Sequence, residues 1–500
     1  MDAQHICQLL EERRAELATY AEEIERARAE LRRLEEQRDQ VQDVVHELEA
    51  LMSPVRRMPT DIMAKIFEHC VWDQATPRVD YRAAPLLLGQ VCCSWRYLLF
   101  SLPCLWTSLQ LDLPSGSKDW EALVQSKSLA MHVWLSRSRA LPISLFLNHP
   151  KGSLIPWHAL VHLDKEILTL GCRLKHLSLH LSARSLCSLL TFTRSPLPYL
   201  EHLELVNSNS LPTVENPPPI VLHSAPSLKS LSLSWCSLDL GHFQIPWVQL
   251  QHLNLDYDAS SFWSPVHSDY LQTLTLCPNL TTLCLGIGTP IYDVDPLHME
   301  PVTLTHVHTF KVNLYGVQTP YLVHFFDALH MPRLRHFEIR NASLALGSIT
   351  GQTECLPFLA RCADTLESVS LVRVDMADPI VLACLAQLHR LRTMSFLPGV
   401  LRLNHGLITA LTLDGDAQVC PGLETLHLRC SSNVPIDTIV RLVASRCRGE
   451  SKLKWFTLQL ATFEYGMDTR DGKMEQVQTQ LREYVEGGLK LVLTKSRSTG

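Results

Sequence analysis

The stretch VCCSWRYLLFSLPCLW, Val91 to Trp106, holds two adjacent cysteines, a third cysteine, two tryptophans and an arginine. Thiols at this density point to a nucleophile, a redox couple or a metal site. A reactive thiol needs a nearby cation to lower its pKa, and around Cys92 and Cys93 only Arg96 supplies one. Neighbouring positions on a helix point ~100° apart, which does not suit a shared metal ion. The 16 cysteines are scattered from Cys7 to Cys447 and never form C-x-x-C, the spacing of zinc and redox sites. Cys92 is therefore expected to pack on an apolar helical face, and no metal or cofactor is expected.

Among the 23 histidines, His176 and His202 stand out, because strand geometry would set them on neighbouring strands ~4.8 Å apart. We read them as solvated residues of a binding face and not as metal ligands. G-x-S-x-G, the phosphate-binding loop, H-E-x-x-H and the dinucleotide-binding glycine pattern are all missing. An enzyme is not expected; an enzyme with a dispersed site is the weakest class.

The elements that would position these residues follow from composition and periodicity. At 500 residues and 46% hydrophobic, the chain can bury a sizeable core in more than one domain. Residues 1–52 hold 14 Asp/Glu against 7 Lys/Arg, a charge of −7, so with the chain's net charge at −6 the remainder sums to about +1. No basic stripe argues for nucleic acid. Neither a membrane-length apolar run nor an apolar N-terminal core occurs, so a cytosolic or nuclear protein is expected, without membrane partners.

From Ala3 to Met52 a seven-residue register holds. One seam position takes Leu10, Leu17, Ile24, Leu31, Arg38, Val45 and Met52; the other takes Ile6, Arg13, Tyr20, Ala27, Leu34, Val41 and Leu48. With Glu, Arg and Gln on its other faces, such a helix needs a partner helix. A coiled coil over 1–52, able to form a homodimer, is expected; the alternative is a long helix folded back on its own body. Ser53-Pro54 ends it. MPTDIMAKIFEHC then reads as a helix with Ile62, Ile66 and Phe67 on one face. After a polar connector, Leu88, Val91, Cys92, Trp95, Leu98 and Leu99 make a second apolar face.

The rest is periodic. L-x-x-L-x-L and close variants begin at 174, 200, 228, 250, 280, 307, 334, 366, 391, 423 and 453, from LKHLSL to LKWFTL. The mean spacing is about 28 residues, within the ~20–29 of leucine-rich repeats. LQTLTL at 271 and ITALTL at 408 lie too close to their neighbours to be separate units, and WTSLQL at 106 reads as an edge strand. Apolar runs such as YLVHFFDALHM supply the helices between strands. The expected fold is α/β: an N-terminal coiled-coil helix, a small helical module, then a leucine-rich horseshoe with a parallel sheet on its concave face. The domains are 1–52 coiled coil, 53–112 helical module and first strand, 113–165 helical linker, 166–465 repeats, and 466–500 C-terminal helix and tail.

Strand alternation aims every second side chain of each unit at the concave surface. One row holds His176, His202, His252, His336, Thr393, Thr425 and Trp455. A second holds Glu204, Asn254, Lys311, Glu338 and His427, and a third Asp256, Asn313, Arg340 and Arg429. This mixed polar surface is the expected binding face, with Arg340 and Arg429 as cations able to hold a phosphate. Cys236, Asn207, Asn341 and Cys430 fall near the turn position of their units and are expected to be structural.

MPTDIMAKIFEHC followed by LLLGQVCCSWRYLLFSLPCLW resembles the F-box, with its Leu/Met-Pro, Ile-x-x-x-Ile-Phe, Val-Cys-x-x-Trp and Pro-x-Leu-Trp pieces. The wording APLLLGQVCCSW looks most like the expanded F-box group of mushroom-forming fungi. The likeness covers Arg57 to Leu111; Met58 replaces the usual Leu, and the connector after Phe67 is longer than in compact F-boxes. The resemblance implies a substrate-recruiting subunit of a ubiquitin ligase, docked on a Skp-family adaptor and through it a cullin, with the repeats binding a target protein. Carried over by motif, Met58, Pro59, Ile62, Ile66, Phe67, Val91, Cys92, Trp95 and Trp106 are the adaptor-binding and core positions. The alternative is a leucine-rich-repeat scaffold, oligomerised by its coiled coil, without a ligase role.

Overall fold

A computed structural model of the chain describes residues 3–52, 54–72, 76–114, 116–117, 119–150, 155–182, 185–186, 189, 196–207, 220–222, 224–234, 243–256, 267–288, 300–315, 319–341, 355–373, 378–397, 405–413, 419–431, 434–448, 453–461 and 470–496. It forms two compact units, Met1–Gln74 with Leu87–Leu102 and Ala75–Leu86 with Pro103–Gly500.

The first unit is helical. Its longest element, α1, runs unbroken over Ala3–Met52. Good helix formers without Gly or Pro sustain it, with exposed i, i+3 ion pairs such as Arg28–Glu25 at 2.7 Å and Arg33–Glu30 at 2.6 Å along its surface. The expected seam is on this helix, and every seam side chain from Ile6 to Leu48 is exposed, Leu17 at 68%.

Two short helices follow, α2 over Thr60–Trp72 and α3 over Cys93–Ser101. Met63, Phe67 and Val71, four apart, form the buried stripe of α2. Ile62 and Ile66 lie on an adjacent, exposed stripe, so the single face expected from sequence is two. The second apolar face also starts later than expected. Leu88–Gln90 is a separate short turn, and Cys92 is extended (φ −159, ψ 170) as the cap of α3, its Sγ accepting from the Trp95 N–H at 3.5 Å. Gly89 lets this turn approach α3, since a Cβ there would stand 3.0 Å from Leu99 Cδ2.

The second unit is a parallel sheet of 14 strands in chain order. Its strands are β1 Ser108–Asp112, β2 Ile143–Asn148, β3 Leu174–Leu181, β4 His202–Asn207, β5 Ser230–Ser234, β6 His252–Asp256 and β7 Thr282–Gly288. They continue as β8 Thr309–Tyr315, β9 His336–Asn341, β10 Ser368–Val372, β11 Thr393–Leu397, β12 Thr425–Ser431, β13 Trp455–Ala461 and β14 Lys490–Ser496. All eleven repeat motifs become strands β3 to β13, and the motif at 106 becomes β1.

Two boundaries differ from expectation. Residues 113–165 are no linker: helix α4, Trp120–Ser136, and β2 make a full repeat unit whose motif is too degenerate to read. The C-terminal tail ends in β14, which pairs with β13 over seven residues. The close-set motifs at 271 and 408 lie in helices, His267–Thr275 and His405–Ala410. There Leu271, Leu274 and Ile408 are buried helix residues, because an apolar i, i+3 spacing fits a helical face as well as a strand.

The core lies between the sheet and the connecting helices. Alternate strand residues such as Leu177, Leu203, Leu253 and Leu283 are buried, and Phe310, Phe326, Phe337 and Phe358 form an aromatic cluster behind the strands. Asn207, Asn341 and Cys430 are buried, as expected of turn-bonding residues, while Cys236 lies outside the described residues. At the first edge, Pro77 O accepts from Gln110 N at 2.7 Å and Arg78 reaches Asp112 at 3.2 Å, covering part of β1.

Candidate docking surfaces

Eight of the nine motif residues lie in the helical unit, and they divide by burial. Phe67 is fully buried and Trp95 half-buried, their rings 5.0 Å apart. Pro59, Ile62, Ile66, Val91 and Cys92 are exposed, Val91 at 60% and Ile62 at 51%, and Met58 is half-buried. Cys92 thus corrects its expected burial: its thiol caps a helix at the surface. Trp72 and Tyr97, not singled out from sequence, are exposed on the same two helices.

Trp106 belongs to the repeat unit and is completely buried. Trp134 stands edge to face with it at 4.9 Å, and the Arg137 guanidinium lies 4.4 Å from its ring centroid. Phe67 and Trp106 are core residues.

On the sheet, the register aligns the expected rows. His176, His202, Ser230, His252, Thr282, Thr309, His336, Ser368, Thr393, Thr425 and Trp455 are successive partners across β3 to β13. All eleven residues expected on the binding face, His202, Glu204, His252, Asn254, Asp256, Lys311, His336, Glu338, Arg340, Arg429 and Trp455, are half-buried or exposed. The face divides into patches of different chemistry.

At one end, Phe146, His176 and His202 stack in sequence, with centroids 4.6 Å and 5.4 Å apart. Burial, and for His176 the neighbouring His202, lower both imidazole pKa values. Beside them Glu204 accepts from Ser178 Oγ at 2.6 Å and lies 3.3 Å from His180 Nε2; its pKa is lowered, chiefly by the adjacent His180 imidazole. In the middle, Asp256 accepts from Asn313 and from the Tyr315 hydroxyl, both at 2.9 Å. His180 and Tyr315 were missed from sequence, although His180 shares the register position of Asp256 and Tyr315 lies one alternation beyond Asn313.

Glu338 then takes both Lys311 at 3.4 Å and Arg340 at 3.2 Å. Arg340 and Arg429 are three strands apart, ~14 Å at 4.8 Å per strand, so they do not converge on one phosphate. At the far end Lys490 Nζ sits 3.9 Å from the Trp455 ring centroid and His427 packs against the same indole at 5.9 Å. Lys490 went unseen because its strand did.

Burial pushes the Cys284 thiol, which lies in the second row, up to about 12. Among the described residues no three His, Cys, Asp or Glu form a group able to hold a metal ion. No described helix is long and apolar enough to cross a membrane.

No protein-family model matches the chain, and no curated protein matches it in sequence. Among solved structures it is similar to the crystal structure of a TLR13–ssRNA13 complex, at 12% identity and a TM-score of 0.32. That match covers 78% of this chain and 53% of the other, so the chain spans about half the length of that neighbour. The chain itself is mixed α/β, with a long N-terminal helix and a large parallel sheet of leucine-rich repeats.

Proposed function

We propose that the chain is the substrate-recruiting subunit of a Skp–cullin–F-box ubiquitin ligase and has no catalytic role of its own. Its helical unit docks on a Skp-family adaptor, and through it a cullin, while the open sheet face binds a target protein. The observation that carries this is the division of the motif residues. Pro59, Ile62, Ile66, Val91 and Cys92 point outward although mostly apolar, and Phe67 holds the helices together from inside. Contiguous exposed apolar side chains are the mark of a protein interaction surface. The mechanism is proximity: a target held near the ubiquitin-loaded partner meets it at high effective concentration, so lysine transfer becomes nearly intramolecular.

Co-purification with a Skp-family adaptor tests this. The wild-type chain should capture the adaptor, and the exposed-residue variant Pro59→Ala/Ile62→Ala/Val91→Ala should not. Wild-type chain that captures none sinks the proposal; adaptor retained by the triple variant sinks the surface. A leucine-rich scaffold without ligase role is the second reading, favoured by the length of α1, which lies outside the F-box motif.

A further inference from the structure

The apolar seam of α1 fits one occupant well: a second copy of the same helix, running the opposite way. We propose that residues 3–52 form an antiparallel homodimer. This goes beyond the proposed function, since a ligase subunit and a scaffold are equally able to dimerise this way.

Three seam residues decide the orientation. In a parallel pair each seam residue faces its own copy, so Arg13 meets Arg13 and Arg38 meets Arg38, placing two guanidinium pairs in the apolar seam. Ala27 also meets Ala27, leaving the layer beside Ile24 and Leu31 underfilled. In an antiparallel pair the two seam positions face each other. With the helices fully overlapped, Arg38 faces Tyr20 of the second copy, Arg13 faces Val45 and Ala27 faces Leu31. Each arginine is then parted from its twin, Arg38 gains an aromatic face, and the smallest seam residue meets a large one.

The flanks do not reverse this. Antiparallel packing brings Glu30 near Glu30 and Arg28 near Arg28 across the dyad. Both are already paired on their own helix, Glu30 with Arg33 and Arg28 with Glu25. Parallel packing would set Glu23 favourably against Arg28 and Glu30 unfavourably against Glu35, which nearly cancels. The apolar seam residues are exposed, while Arg13 and Arg38 are each engaged on their own helix, with Glu16 and Asp39, both at 2.5 Å. The geometric consequence is large. A helix of 50 residues is ~75 Å long, so an antiparallel pair sets the two Ser53-Pro54 exits at opposite ends of a rod, where a parallel pair would set them side by side.

The test uses the full chain without any partner. Light scattering at micromolar concentration should give twice the 56.6 kDa chain mass. A benzoylphenylalanine photocrosslinker in place of Glu49 should react near Cys7 of the second copy; reaction near Val44 overturns the antiparallel arrangement. The double variant Tyr20→Lys/Arg38→Glu should keep the dimer within about tenfold of the wild-type Kd, because the new carboxylate faces the new ammonium. A parallel pair would instead gather like charges in both layers and lose it. A wild-type chain that stays monomeric overturns the proposal, whatever the adaptor experiment shows.

Discussion

Phe67 and Trp95 meet edge to face, centroids 5.0 Å apart with their planes at 61°, and this contact ties α2 to α3. Aromatic pairs of this geometry add ~0.5–1.5 kcal/mol beyond the area they bury. Around the pair the helical unit is small, and Met63, Val71, Leu88 and Leu99 are the other buried side chains of its short helices and turn. The same segment shows apolar residues outward at Ile62, Ile66 and Val91. One sequence motif therefore holds a core and a surface.

Phe67→Ala should destabilise the helical unit by ~3–5 kcal/mol, the cost of deleting a buried aromatic ring. Ile62→Ala and Ile66→Ala should change stability by about 0.5 kcal/mol or less, since both side chains are exposed. Hydrogen exchange over residues 60–101 separates the two classes. Equal loss of protection in all three variants would show that the exposed stripe is core after all.

Arg446 is a fully buried cation. Its guanidinium donates to the carbonyls of Leu411 at 2.7 Å, Cys420 at 2.9 Å and Val419 at 2.8 Å, and burial lowers its pKa to about 10. Arg446→Met keeps much of the volume and orphans those carbonyls. We expect a loss of at least ~2 kcal/mol in urea unfolding, because a buried unpaired polar group costs ~1–3 kcal/mol. An unchanged midpoint would show that the loop carbonyls rearrange freely.

The repeat unit should lose stability on mild acidification. Burial lowers the pKa of His149, His176, His202 and His427 from 6.5, so the unfolded chain binds more protons than the folded one below that value. Stability is then full above about pH 6.5 and declines as pH falls through the unfolded pKa toward the folded ones. Melting temperatures at pH 7.5, 6.0 and 5.0 should decrease in that order. His176→Gln/His202→Gln should flatten the slope, and a slope unaltered in that variant would remove this pair as a contributor.

Ending the chain after Gly488 should expose an edge. It deletes β14, the partner of β13 over Trp455–Ala461, together with Lys490 over the Trp455 ring. Unpaired edge strands template aggregation, and lysines on an outer strand oppose it. The truncated chain is expected to elute as aggregate under conditions where the full chain does not; a monodisperse truncated species would show that β13 tolerates being terminal.

Periodicity made the repeats legible. Each L-x-x-L-x-L motif commits alternate residues to opposite faces, so the strands and the three rows on the open face followed from eleven anchors and one rule. The heptad on residues 3–52 was legible for the same reason. Strands β2 and β14 were not, since ISLFLN and KLVLTKS lack the leading anchor. What makes them strands is the neighbour on which they pair.

The sequence by itself determined a chain of leucine-rich units behind a heptad helix, because hydrophobic period is a local property that burial must satisfy anywhere in the fold. Only the tertiary structure decided which side chains face water. It separated Ile62 from Phe67, turned Cys92 from a packing residue into a helix cap, and sank Trp106 into the repeat core. It also gave Glu338 two cations and Arg446 three carbonyls. Those outcomes depend on partners tens of residues away, and a local pattern holds no information on which distant group arrives.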